Sequence, residues 1–197
     1  MTPGLHGILL HLRCRAAPAT ALVFLAAAGL TWAGYLSDDP GLTRMTGLIA
    51  VVLGVAVTSR TLAGPDEELE RGTPMPWRLI RTIHLLLLSG SLLGLLAAVH
   101  LVAGRQAPAV PFGTLVQAVL ALTALTALGA VLFGAHTAWV PAIGWGLLML
   151  ALGPLKPAGG QVLVWMVQDP RTATSTAAAA VLTVVGTVAY TQRGSRR

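Results

Sequence analysis

The chain has 197 residues, 55% of them hydrophobic and 10% charged, with a formal net charge of +6 and a mean hydropathy of +0.75. Soluble domains carry about 25% charged residues, so this composition excludes an ordinary water-soluble fold, and the positive charge becomes a question of membrane topology rather than a nucleic-acid signal. The single cysteine, Cys14, excludes a disulfide framework and a cysteine-built metal site.

A helix needs about 20 mainly apolar residues to cross the roughly 30 Å hydrocarbon core of a bilayer. Before the first such stretch, Leu5, Ile8, Leu9 and Leu12 recur at helical spacing, with His6, Arg13 and Arg15 off the stripe. That pattern predicts an interfacial helix over 1–15, apolar side in the lipid and arginines at the headgroups. Ala16–Leu36 follows as the first span; its apolar run exceeds the roughly 7–15 residues of a cleaved signal, so it reads as an uncleaved helix. Met45–Ala63 is the second span, with Arg60 near its end.

Next comes the charged connection 64–81. Pro65 followed by Asp66, Glu67 and Glu68 predicts a helix start, because acids favour the positive end of the helix dipole. Gly72, Pro74 and Pro76 break that helix, and Trp77, Arg78 and Arg81 stand where interfacial anchors stand. The third, fourth and fifth spans are Ile83–Ala103, Phe112–Phe133 and Ala138–Leu152, the last short and carrying Pro141. The connection 153–172 opens on Pro154, Pro157, Gly159 and Gly160 and then runs Val162-Leu163-Val164-Trp165-Met166-Val167. This run is too short to span and too apolar for an exposed loop, which predicts a re-entrant segment. Ala173–Tyr190 is the sixth span.

Basic residues divide unequally between alternate sides of these spans. Arg13, Arg15, Arg60, Arg71, Arg78, Arg81, Arg193, Arg196 and Arg197 fall on one side, and Arg44, Arg105, Lys156 and Arg171 on the other. The positive-inside bias places both termini and the connection 64–81 in the cytoplasm. The expected fold is an all-α integral membrane protein, a single transmembrane domain over 1–197 with six transmembrane helices.

The residue inventory argues against catalysis by this chain. It holds no glycine-rich Gly-Lys-Ser/Thr loop for phosphates, and its one lysine, Lys156, lies in an outward connection. No Asp or Glu falls inside a span, where a proton path would need one. His84 and His100 lie roughly 24 Å apart along one helix and cannot share a haem iron. Ser89 and Ser91 have no acidic or histidine partner at their depth, and Gln117, Thr123 and Thr126 read as hydrogen bonds between helices. Gly90 and Gly94 form a GxxxG pair suited to close helix approach, within the chain or with a partner.

The order of elements, with the stretch Glu70-Arg71-Gly72-Thr73, resembles the transmembrane (permease) subunit of bacterial type-2 ABC exporters, and the Pro-Asp-led acidic run is similar to that of actinobacterial members. The chain is shorter than most of that family, and Pro74-Met75-Pro76-Trp77 stands where an aliphatic continuation is usual. The resemblance implies a cytoplasmic coupling helix between helices 2 and 3, with Asp66, Glu67, Glu68, Glu70, Arg71, Gly72 and Thr73 docking an ATPase. It implies no cofactor in this chain, with ATP and Mg in a partner ABC ATPase subunit, and a second permease copy or sister permease beside it. It also implies a bacterial cytoplasmic membrane, export of an amphipathic or hydrophobic substrate, and no nucleic-acid partner. The alternative is a non-transporting accessory or structural subunit of a membrane complex.

Overall fold

The computed structural model describes residues 17–37, 39–62, 76–103, 111–168 and 172–195, with no strand among them. The predicted interfacial helix, the coupling residues Asp66–Thr73 and the three residues 169–171 lie outside the described residues. The described elements are α1 (Ala17–Tyr35), α2 (Pro40–Thr58) with a 3-10 turn Ser59–Thr61, α3 (Trp77–Ala103), α4 (Phe112–Phe133), α5 (Trp139–Leu152), α6 (Ala158–Leu163) and α7 (Ala173–Arg193). Within them, Pro18–Tyr35, Pro40–Thr61, Trp77–Ala103, Phe112–Phe133 and Ala173–Arg193 are long and apolar enough to cross a membrane. Large apolar side chains on the perimeter, among them Leu22, Leu25, Leu86, Leu87, Leu101, Leu147, Val181 and Val184, are exposed. A surface of that kind belongs in lipid, and the chain is an all-helical multi-pass membrane protein.

Two spans start earlier than periodicity alone predicts. The Asp39 side chain accepts from the Gly41 N–H at 2.8 Å and Pro40 takes the first helical position, so α2 begins at Pro40 and not near Met45. The α3 helix begins at Trp77, ahead of the predicted Ile83, and its 27 residues rise about 40 Å. That exceeds the hydrocarbon thickness, so the turn bearing Arg78 and Arg81 overhangs it. By contrast α5, the predicted fifth span, has 14 residues. It rises only about 21 Å and ends at Gly153, whose φ of 64° lies in the left-handed region open to glycine.

The helices α1 to α4 run in alternating directions, and α7 runs parallel to α4. Tyr35 at the end of α1, His100 near the end of α3 and Phe112 at the start of α4 meet at one end of the bundle. Leu62, His84 and Tyr190 meet at the other. The second is the basic end, carrying Arg60, Arg78, Arg81 and Arg193 on its helix termini.

The central helix is α4. Its apolar stretch is 67% buried, against 28% for α3 and 22% for α7, and it packs against α2, α3, α5 and α7. Small residues make this possible. Ala118, Ala121, Ala124, Ala127 and Ala130 are all buried on α4, and Gly186 of α7 sits so close that a Cβ there would overlap the Ala124 carbonyl. Elsewhere, Gly54 of α2 receives Leu92 of α3 and Gly146 of α5 receives Val52 of α2. With no hydrophobic drive between helices in lipid, such close backbone approach is a main source of helix association.

Gly90 and Gly94 differ from these: both are exposed, and a Cβ at either meets nothing within 4 Å. They take no part in packing within this chain. Gly186→Ala is therefore expected to destabilise the protein by about 1–3 kcal/mol through overpacking, while Gly94→Ala leaves it unchanged or slightly more stable through helix propensity. Thermal unfolding of the two variants in detergent checks the contrast; equal shifts would mean that α4 and α7 are not in close contact.

Candidate functional site

The sequence-predicted docking residues Asp66, Glu67, Glu68, Glu70, Arg71, Gly72 and Thr73 lie outside the described residues. What the structure does position is the frame they spring from. On one side of the gap, Thr61 and Leu62 end the turn after α2; on the other, Pro76 leads into α3. His84 Nε2 lies 3.1 Å from the Thr61 carbonyl and 3.2 Å from its hydroxyl. A carbonyl only accepts, so Nε2 carries the proton and donates. The Tyr190 hydroxyl of α7 donates to the Leu62 carbonyl at 3.2 Å from a buried position. Gly194, just past α7, packs against the Arg81 guanidinium, where a Cβ would stand 2.6 Å from Nη2.

These contacts satisfy carbonyls that a helix end leaves without intrahelical partners. The hydroxyls of Thr58, Ser59 and Thr61 are also used up locally, donating to the carbonyls of Val55, Ala56 and Thr58. Three chain segments are thereby fixed to one another: the end of α2, the start of α3 and the end of α7. His84, which the sequence presents only as a candidate haem ligand, is the hinge-pin of this arrangement.

The second constellation is the connection 153–168. After the mostly exposed α6, Val164, Trp165, Met166, Val167 and Gln168 turn inward and are each no more than 8% exposed. The first four join the same core as Leu48 and Val51 of α2, Leu122 of α4 and Ala179 of α7. Non-helical backbone at such depth must have its polar groups paired inside the protein. Arg44 of α2 donates to the Val167 carbonyl, Trp145 Nε1 of α5 donates to the Leu163 carbonyl at 2.9 Å, and Gln168 Nε2 donates to the Leu155 carbonyl at 2.8 Å. Trp145 adjoins Gly146, which faces Val52 of α2, so the same turn of α5 packs on α2 and holds the end of α6. The hairpin 164–168 fills the space that the short α5 leaves open.

Other candidate residues resolve more simply. His100 Nδ1 lies 2.7 Å from Tyr35 Oη and its ring is 5.9 Å from Phe112, which ties α1, α3 and α4 at the end opposite the arginines. His136 is exposed in the turn between α4 and α5. No group of three His, Cys, Asp or Glu able to hold a metal occurs among the described residues. Gln117 bridges helices as expected, donating to the Ser175 carbonyl of α7 at 3.1 Å. Thr126 instead bonds back to Leu122 on its own helix, and the buried Thr123 hydroxyl has no partner. Ser89 and Ser91 likewise donate to carbonyls of α3 itself. Arg44 had only been counted as an outward charge; its fifth position in a helix already capped by Asp39 is the signal that it lies on the helix and not in the loop.

No family model, no curated protein and no solved structure matches this chain.

The hairpin's dependence on Arg44 is directly measurable. In a Cys14→Ser background, a cysteine introduced by Met166→Cys is expected to resist a membrane-impermeant maleimide. Adding Arg44→Ala removes a charge-assisted hydrogen bond of about 1.5–3 kcal/mol, and labelling is expected to quicken by roughly tenfold or more. Unchanged labelling would show that apolar packing alone holds the hairpin.

Proposed function

We propose that this chain is the permease subunit of an ATP-driven exporter of the type-2 ABC class. In this reading both termini are cytoplasmic and the basic end faces the cytoplasm, as the arginine distribution favours. The chain crosses the membrane six times, the fifth crossing being completed by α5 and the hairpin together, and the hairpin is re-entrant from the outer side. The observation that carries the proposal is the buried hairpin Val164–Gln168 between α5 and α7, placed at the opposite end from the charged connection between α2 and α3. That pairing of elements is what the family resemblance implies.

The mechanism proposed is mechanical coupling. A partner ATPase holds ATP and Mg and docks on Asp66–Thr73; this chain hydrolyses nothing. Because the residues bounding that connection are bonded to α7 and to one another through His84 and Tyr190, a push on the connection is delivered to α2, α3 and α7 at once. ATP then drives transport to the extent that the nucleotide-bound ATPase favours one arrangement of these helices over another. The substrate class is amphipathic or hydrophobic, and a second copy or a sister permease completes the transporter.

Affinity purification of the tagged chain from its host in nanodiscs tests this. A stoichiometric ATP-binding subunit is expected, and the triple reversal Glu67→Lys, Glu68→Lys, Glu70→Lys is expected to lower its recovery by about tenfold or more, since opposed charges steer and hold such interfaces. Membrane insertion of the variant should be unchanged. Recovery of another membrane complex without an ATPase would support the accessory-subunit alternative instead.

A further inference from the structure

The arginines of the basic end belong to separate segments, and the fold gathers them. Arg60 lies on the 3-10 turn after α2, Arg78 and Arg81 lie three apart on the first turns of α3, and Arg193 closes α7. The bonds from His84 to Thr61 and from Tyr190 to Leu62, with the Arg81 guanidinium against Gly194, hold these three segments together. Arg60, Arg78 and Arg193 are exposed. The single acid among the described residues, Asp39, caps α2 at the far end of the bundle. A positive-inside bias requires only that basic residues share a side of the membrane; it does not require that the segments bearing them be bonded to one another, as these are.

These segments face lipid. The two helices that contribute most of the arginines, α3 and α7, are the least buried of the long helices. On the turns leading from the arginines into the membrane they expose Ile83 and Leu87 on α3 and Val184, Val185 and Val188 on α7. A cluster of guanidinium groups with apolar surface running away from it on the same helices matches one kind of molecule, an anionic headgroup with acyl chains.

We propose that the start of α3, the end of α7 and the Ser59–Thr61 turn form a binding site for an anionic phospholipid, its headgroup phosphate at the exposed Arg60, Arg78 and Arg193 and its chains along α3 and α7. Guanidinium forks suit phosphate oxygens geometrically, and basic clusters at the ends of membrane helices attract anionic lipid through both charge and shape. The site does not depend on the transport reading and holds equally for an accessory subunit. Its consequence for either is that lipid bound there braces the same three segments that His84 and Tyr190 join.

The test is native mass spectrometry of the full chain, released from mild detergent containing equal amounts of phosphatidylglycerol and phosphatidylcholine with identical acyl chains. The wild type is expected to retain phosphatidylglycerol with a preference of roughly tenfold or more, each basic residue near an anionic surface contributing about fivefold. Arg60→Gln, Arg78→Gln and Arg193→Gln combined, all at exposed positions, is expected to abolish the preference with helicity unchanged. Lys156→Gln at the other end of the bundle should leave it intact. Quenching of Trp77 fluorescence by brominated phosphatidylglycerol, taken as the difference between wild type and Trp77→Phe, places the bound chains and serves if the triple variant fails to fold.

Retention of both lipids alike, or a preference that survives the triple variant, overturns the proposal. Displacement of the lipid by millimolar inorganic phosphate would make this a free-anion site. A preference that appears only after Asp66, Glu67, Glu68 and Glu70 are neutralised would mean that the chain's own acids occupy the arginines, and either result also overturns it.

Discussion

In lipid every backbone polar group must find its partner inside the protein, and this constraint shapes the molecule more than any other. Helices meet it without help, which is why five long ones carry most of the chain. The segment 155–168 meets it partly with backbone bonds of its own, from the Val164 and Val167 N–H groups, and partly with side chains: Arg44 on the Val167 carbonyl, Trp145 on that of Leu163 and Gln168 on that of Leu155. Arg44 and Trp145 tie α2 and α5 to that segment. Helix ends at the basic face obey the same rule, with His84 and Tyr190 supplying what the Thr61 and Leu62 carbonyls lack.

The short α5 and the hairpin are two sides of one solution. A 14-residue helix leaves about 9 Å of a 30 Å layer uncovered. An open gap there would expose α2 and α4 to lipid or water, and Leu48, Val51 and Leu122 would lose their neighbours. Val164, Trp165, Met166 and Val167 occupy that space and are buried against those same side chains. The apolar content of the segment follows from its burial, since Val164, Trp165, Met166 and Val167 are core side chains of the bundle. The central α4 imposes the complementary demand, since a helix with neighbours on several sides has room only for alanine, threonine and glycine at most of its contacts.

Much of this was legible in the sequence, because the bilayer reduces folding to a question of length and apolar content. The spans on α1, α4 and α7 are found nearly where hydropathy places them, and the unusual chemistry of 153–172 was visible as an apolar run too short to cross. Hydropathy misplaced the starts of α2 and α3 for a physical reason: helix ends are set by caps and interfacial residues, here Asp39-Pro40 and Trp77, that are themselves polar or amphipathic. The candidate site was legible only as composition. Nothing local to His84, Tyr190 or Arg44 announces that each reaches a carbonyl of another segment, separated by 23, 128 and 123 positions in the chain respectively. Thr126 shows the same limit in reverse, since helical spacing alone does not say whether a threonine bonds outward or back to its own helix.

The two ends of the bundle are held by different kinds of bond, and the difference bears on how the molecule can move. At the basic end, a histidine N–H and a tyrosine hydroxyl reach carbonyls at helix termini, and the segments they join carry the whole axial length of α2, α3 and α7. Tilting any one of these helices about that end leaves the joint intact while displacing the far end most, as with any lever. At the far end, the chief tie between α2 and the hairpin is a single arginine on one carbonyl. A cation half-buried among apolar side chains is costly to leave unpaired, so Arg44 favours two conditions: bonded to the hairpin, or drawn out to headgroups and water, as long basic side chains do. An intermediate position satisfies neither. Tyr35 on His100 and Gln117 on the Ser175 carbonyl hold α1, α3, α4 and α7 at that same end, so release of Arg44 would loosen the segment 153–168 against α2 while those helices stayed tied.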